Sequence, residues 1–185
     1  MCTLMKIYPG LFTLINYQNI KTIGVISRIC YKFDSTTLLM LYNTVVFPYL
    51  NYCWIVWGAN YFERLERLFK LQKRMIRIIT GLKNSDHSSQ IFKNLNILKV
   101  TEINVLQTSL FIYKLYNRLL PENFPSFRYL NKDLHQHYTR SHNNFLLIRT
   151  NIKKFSIKFL GSVIWNKISE IYRFAISISS FKKLV

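Results

Sequence analysis

Residues 60–81 read NYFERLERLFKLQKRMIRIITG, and this stretch decides the fold class more than any other in the chain. Asn60 and Glu63 have the spacing of a capping box, in which two side chains satisfy free backbone N–H groups at the start of a helix. Glycine is common just past a helix end, because it adopts left-handed backbone angles without a Cβ clash. The stretch therefore predicts a helix that begins at Asn60 and ends before Gly81.

The two faces of this predicted helix differ in chemistry. At about 100° per residue, one side gathers the apolar residues Leu65, Leu68, Phe69, Met75, Ile76 and Ile79. The other side gathers the cations Arg67, Lys70, Lys73, Arg74 and Arg77. A charged face is usually the solvated side of an amphipathic helix. Here Glu63 and Glu66 are the only acidic residues among the cations, so a merely solvated face is less strongly favoured than usual. The alternative is that this face binds an anion.

Helical patterns cover most of the remaining chain. Asp34 and Ser35 offer a choice of N-cap for a helix that Pro48 should kink or divide. Further helices are predicted over residues 101–119, 152–171 and 177–184, and a short strand over residues 145–149. The fold class is therefore mainly α. It is a helical bundle with a smaller, mostly helical C-terminal part and one short strand or hairpin.

The composition is strongly basic. Lys and Arg total 26 against 8 Asp and Glu, which gives a formal net charge of +18 on 185 residues. Such a surface gains affinity for a polyanion by releasing the counterions that surround phosphates. Nucleic acid is the usual polyanion, and an anionic membrane surface is the competing interpretation.

The longest uncharged span, residues 35–62, raises the membrane alternative directly, since it is long enough to cross a bilayer as one helix. It is interrupted by Asn43, Pro48 and Asn51, a pattern better suited to a buried helical hairpin. The alternative is a membrane-associated basic protein with one span near residues 36–58. We expect no signal peptide, and hence a nuclear or cytoplasmic and not a secreted protein.

The chain lacks the residue patterns of a catalytic site. Enzymes that make or cut phosphodiester bonds mostly hold two metal ions on clustered carboxylates, and no two acidic residues adjoin here. The run from Ser85 to Ser88 is interpreted as a polar loop, and His135 and His137 are a weak metal signal without cysteine partners. We therefore predict no catalytic residue, no metal site and no cofactor.

The order of landmarks along the chain resembles a known family. Phe47-Pro48-Tyr49-Leu50-Asn51-Tyr52, Trp57-Gly58, Leu71-Gln72-Lys73-Arg74, Leu120-Pro121-Glu122, Tyr138-Thr139-Arg140, Gly161 and Trp165-Asn166 are similar to the region after the catalytic palm in reverse transcriptases of jockey-like non-LTR retrotransposons. The resemblance runs from about Thr22 to the C-terminus, and its ordered combination is more specific than any single element. Ile168-Ser169 departs from the Leu-Pro that the family commonly has there.

The resemblance implies a helical thumb and C-terminal extension of an RNA-directed DNA polymerase, without the palm that carries the metal-binding aspartates. It implies an N-terminal lead-in over residues 1–33, a thumb-like region over 34–120 and a basic C-terminal extension over 121–185. The expected partners are the backbone of an RNA/DNA duplex and a palm-containing polymerase segment. A decayed open reading frame without selected function is the remaining alternative.

The charge pattern and the resemblance together give one set of candidate residues for contact with the nucleic-acid backbone. They are Arg64, Arg67, Lys70, Lys73, Arg74, Arg77, Lys114, Arg140, Lys153 and Lys154. Phosphate contacts of this kind position a protein on nucleic acid without reading its sequence. The tryptophans, Trp54, Trp57 and Trp165, lie among apolar neighbours and are interpreted as core residues.

Overall fold

The computed structural model describes residues 9–52, 54, 62–82, 89–121, 130–131, 134, 137, 142–147 and 157–184. The α-helices are α1 (Pro9–Ile29), α2 (Ser35–Leu41), α3 (Phe47–Asn51), α4 (Phe62–Thr80), α5 (Ser89–Asn94), α6 (Val100–Tyr116), α7 (Ile157–Lys167), α8 (Glu170–Arg173) and α9 (Ile178–Leu184), and a π-helical segment, Tyr42–Val46, joins α2 to α3. The expectation of a mainly helical fold is confirmed.

The predicted strand is not formed in the part of the chain that the structure describes. Phe145 makes only an isolated antiparallel bridge with Leu130. Residues 148 and 149 lie outside the described ranges. Ladder pairing is replaced at this point by a side chain, because the Asn166 amide exchanges two 3.0 Å hydrogen bonds with the backbone N–H and C=O of Phe145.

The helix predicted after Asp34 begins where the sequence places it. The Asp34 carboxylate accepts hydrogen bonds from the backbone N–H groups of Thr36 and Thr37 at 3.2 and 3.4 Å. Hydrogen bonds, the strongest of them from the Thr37 side chain, lower the pKa of this carboxyl group. The irregularity expected from Pro48 takes the form of a π-helical segment directly before α3, and Pro48 lies in the first turn of α3 while the backbone remains helical across the junction.

The end of α4 also agrees with the sequence. Gly81 has φ +68°, and the N–H groups of Leu82 and Gly81 donate to the carbonyls of Arg77 and Ile78, the hydrogen-bond pattern of a Schellman motif. The capping box at Asn60 and Glu63 cannot be compared in the same way, since the residue at 60 and the side chain at 63 lie outside the described parts.

Contacts divide the chain into two compact units, and the boundary along the chain falls between Ile103 and Asn104, within α6. These units do not follow the three regions expected from the sequence. The described part of the expected lead-in forms α1, which packs on α4 in the first unit. The expected boundary near residue 121 lies inside the second unit.

The first unit is built around the inner side of α4. Its core includes Leu65, Leu68, Met75, Ile76 and Ile79 from α4, together with Phe12, Ile15, Ile23 and Ile26 from α1, Leu38, Tyr42, Val46, Leu50 and Trp54 from the following helices, and Phe92, Ile97, Val100 and Ile103. Helix α2 and α4 also pack together. The core places α4 with one side inward and leaves its other side to solvent.

The second unit has an aromatic core formed by Phe111, Ile112, Tyr113, Leu115, Phe145, Trp165 and Phe181. The helix predicted over 152–171 is interrupted, since its described part forms α7 and α8. Arg173 explains this interruption, because its guanidinium donates to the carbonyls of Asn166 and Ile168, where α7 ends, at 3.1 and 2.9 Å. A cation at a helix C-terminus also suits the helix dipole.

No helix in the described residues, including those formed by residues 35–51, is long and apolar enough to cross a membrane.

Candidate nucleic-acid interface

The outer side of α4 carries the cations that the sequence groups together. Arg67, Lys70 and Arg74 are exposed, while Lys73 and Arg77 are half-buried. The inner side is buried, as the helical spacing predicts. Helix α4 therefore has one side that packs into the core and an opposite side that is positively charged. We call the five residues Arg67, Lys70, Lys73, Arg74 and Arg77 the cationic face.

Both lysines of the cationic face have neighbours that limit the motion of their side chains. Lys70 Nζ lies 3.2 Å from a Glu66 carboxylate oxygen, and both side chains are largely exposed, 70% and 46%. An exposed pair of this kind contributes little to stability, so Lys70 can exchange Glu66 for a phosphate. Lys73 Nζ lies 4.2 Å from the ring centroid of Phe69, a cation–π contact that holds the ammonium close to the helix surface.

Arg67 and Arg74 are the cations best placed to reach a ligand. Both side chains are exposed, and within the described ranges neither forms an ion pair. Arginine presents a planar fork of N–H donors that matches the geometry of phosphate oxygens. These two residues, seven positions apart, lie on the same side of α4 about two turns from each other.

The side chains of the remaining predicted residues lie outside the described parts of the chain or in the second unit. The side chain at Arg64 lies outside the description, although its backbone belongs to α4. Lys114 lies in the last turn of α6, in the second unit, where its side chain is half-buried. Arg140, Lys153 and Lys154 lie outside the described residues, so their assignment stays a prediction.

Gln72 positions α4, and sequence reasoning missed its role. Its side chain is buried, and its amide nitrogen donates to the Tyr42 hydroxyl at 2.9 Å and to the Leu98 carbonyl at 2.8 Å. Its amide oxygen accepts the Val100 N–H at 3.0 Å. One side chain thus joins α4 to the π-helical segment and to the start of α6. The available signal was a polar residue within the apolar side of the helix.

Two of the residues that Gln72 binds, Tyr42 and Val100, are completely buried. The burial of Tyr42 raises the pKa of its hydroxyl to about 12, although the hydrogen bond with Gln72 acts in the opposite direction. The N–H of Val100, the first residue of α6, is buried and donates to the Gln72 amide oxygen. The neighbouring N–H of Lys99 donates to the Glu102 carboxylate at 2.8 Å. The inner anchor of α4 is therefore a fully paired polar group inside an apolar core.

The tryptophans and the potential metal ligands complete the candidate site residues. Trp54 and Trp165 are buried in the cores of the first and second units, as interpreted from sequence, and Trp57 lies outside the described residues. Among the side chains that the structure describes, no three His, Cys, Asp or Glu residues come close enough to hold a metal ion.

Comparisons of the chain with known protein families, with curated proteins and with solved structures give no match.

Proposed function

We propose that the chain is a non-catalytic, nucleic-acid-binding fragment of a retrotransposon reverse transcriptase, which binds the backbone of an RNA/DNA duplex through the cationic face of α4. The observation that carries the proposal is the division of α4 between a buried, anchored side and five cations that share the opposite side. The net charge of +18 and the ordered landmarks of the reverse transcriptase family support it.

The dimensions of the cationic face suit a nucleic-acid strand. Ten residues separate Arg67 from Arg77, so their positions on the helix lie about 15 Å apart along its axis. Along a duplex, the phosphates of one strand follow each other every 3.4 Å or so, and about four of them fit within that length. Binding of this type is independent of sequence and weakens steeply with salt.

The proposal assigns no chemical step to this chain. The resemblance places the metal-binding aspartates of the family in a palm that precedes the matched region. Polymerase activity is therefore expected only of a parent protein, an RNA-directed DNA polymerase in which α4 would grip the duplex while the palm performs the reaction.

The deciding experiment compares two pairs of charge reversals in the full chain. Arg67→Glu with Arg74→Glu changes the cationic face, and Arg28→Glu with Lys32→Glu makes the same change in net charge at exposed positions of α1 and the turn after it. Binding to a fluorescent RNA/DNA hybrid is measured by anisotropy over a series of salt concentrations. The first pair should lower the slope of log affinity against log salt by about 2, because two phosphate contacts are lost.

The control pair should leave most of that slope in place. Equal losses in the two pairs would mean that net charge alone attracts nucleic acid, and the assignment to α4 would be wrong. Binding by the unchanged chain that does not respond to salt would contradict the whole proposal. Circular dichroism of all variants checks that the helices are retained.

A further inference from the structure

A second surface of the first unit has a chemistry quite different from the cationic face. Helix α1 presents Leu14, Tyr17 and Val25 to solvent, with 53%, 52% and 56% of each side chain exposed. These residues recur at helical spacing, with Lys21 and Arg28 on the same side. Large apolar side chains at this spacing on an exposed helix form a stripe instead of the scattered pattern of ordinary surface residues.

The stripe borders a pocket between α1 and the helices that follow it. Val25, Ile26 and Ile29 form one wall, Leu41 and Val45 form the other, and Lys21 and Thr22 lie at its edge. The pocket volume is about 210 Å³, and its lining is almost entirely apolar. An apolar cavity of about 150 Å³ is enough to hold benzene, so one aromatic or large aliphatic side chain fits here.

The charged residues of α1 all have one sign. They are Lys21 and Arg28, and Lys21 is the charged residue among those that line the pocket. Lys21 is held on the stripe by Tyr17, with Nζ 4.4 Å from the ring centroid. An occupant of this surface must therefore bury apolar groups and carry negative charge beside them.

We propose that this stripe and pocket bind an acidic amphipathic helix of a partner protein. Apolar side chains at i, i+3, i+4 and i+7 of that helix would lie along α1 and insert one large side chain between Val25 and Val45, while its carboxylates face Lys21 and Arg28. From Leu14 to Arg28 the stripe is about 21 Å long, which corresponds to some four turns of the partner helix.

Two other occupants fit the same observations less well. A second copy of the chain, paired by two-fold symmetry over this surface, would bring Lys21 and Arg28 of both copies onto one patch, and like charges in a desolvated interface oppose association. A bilayer surface is flat and accepts protruding apolar groups, whereas this surface has a concave pocket that accepts an inserted side chain.

The test uses a fluorescent acidic peptide of about 18 residues, long enough to cover the stripe. Leu and one central Phe form its apolar side, Glu and Ala fill the rest, and a scrambled peptide of identical composition measures charge attraction alone. At physiological ionic strength the patterned peptide should bind the full chain about tenfold more tightly than the scrambled one. Versions with Leu or Trp in the central position are measured in parallel.

Matched substitutions locate the binding site. Val25→Glu in the pocket wall and Lys21→Glu at its edge should each weaken the patterned peptide by about tenfold. Met40→Glu and Lys32→Glu make the same changes at exposed positions outside the pocket lining and should change little. All these positions are exposed, so the fold is retained, which circular dichroism verifies.

Three results would overturn the proposal. In the first, no patterned peptide binds more tightly than its scrambled counterpart, or the control substitutions weaken binding as much as Val25→Glu does. In the second, light scattering shows dimers that Val25→Glu dissociates, which assigns the surface to a second copy. In the third, vesicles containing phosphatidylserine bind the chain through Val25 while the peptides do not. Hybrid binding by α4 is measured separately, so failure of either proposal leaves the other unaffected.

Discussion

Replacing Gln72 with leucine should destabilise the first unit severely, because the side chain satisfies three backbone or hydroxyl groups at once. Of these groups, the Tyr42 hydroxyl and the Val100 N–H belong to completely buried residues, while Leu98 is 38% exposed and its carbonyl can be hydrated. A buried polar group left without a partner costs about 1–3 kcal/mol, so two such groups give a loss of about 2–6 kcal/mol.

The measurement is urea unfolding followed by circular dichroism, with Tyr42→Phe and the double variant included. Tyr42→Phe alone should cost about 1 kcal/mol, the usual contribution of one hydrogen bond. The double variant should be less destabilised than the sum of the two single changes, since the unpaired hydroxyl is then absent and residues in contact couple by about 0.5–3 kcal/mol. An unchanged unfolding midpoint for Gln72→Leu, or strict additivity in the cycle, would refute this account of α4.

Three further predictions concern single residues. The folded-state pKa of Tyr42 is about 12, against an ordinary value of 10.0, so the free energy of unfolding should fall as pH rises from 10 to 12. This loss is about 3 kcal/mol at most, and it should be missing from the unfolding curves of Tyr42→Phe. A Cβ at Gly161 would lie 2.6 Å from Ile112 Cδ1, so Gly161→Ala should cost about 1–3 kcal/mol in thermal unfolding, and less in an Ile112→Ala background. Arg118, two residues past the end of α6, has φ +55°, so Arg118→Gly should raise the urea midpoint by relieving about 1 kcal/mol of strain.

Helix α4 is the element that sequence reasoning predicts best, because both of its signals are local. The alternation of apolar and cationic residues repeats at the helical period, and Gly81 follows at the position where a left-handed residue closes the helix. The same local reasoning places the start of α2 at Asp34 or Ser35 and an irregularity of the helix near Pro48. Features that depend on a residue and its near neighbours were thus predictable.

The role of Gln72 was not predictable, because its partners Tyr42 and Val100 lie 30 and 28 residues away. A periodicity argument places Gln72 on the apolar side of α4 without saying which buried groups meet it. Only the packing of three elements supplies those groups. The candidate site was therefore predictable as a set of cations, whereas the anchor that orients them was not.

The second unit departs from expectation for a similar reason. The interval 145–149 has the apolar character of a strand, yet Phe145 receives its pairing from the Asn166 side chain. Arg173, counted in the sequence only as one more positive charge, is buried and is used to close α7. In both cases a side chain makes the hydrogen bonds that sequence patterns assign to a neighbouring strand or to water.

The buried side and the cationic side of α4 would also show different patterns of substitution among related sequences. In a reading frame that has lost its function, codons for Gln72 and for Arg74 accumulate substitutions at the same rate. A chain selected only to fold retains Gln72 and lets Arg74 drift to other polar residues. A chain selected to bind nucleic acid keeps both, and keeps positive charge at 67 and 74 even where the codon changes. Related genomic copies of this frame therefore contain a test of function that needs no purified protein.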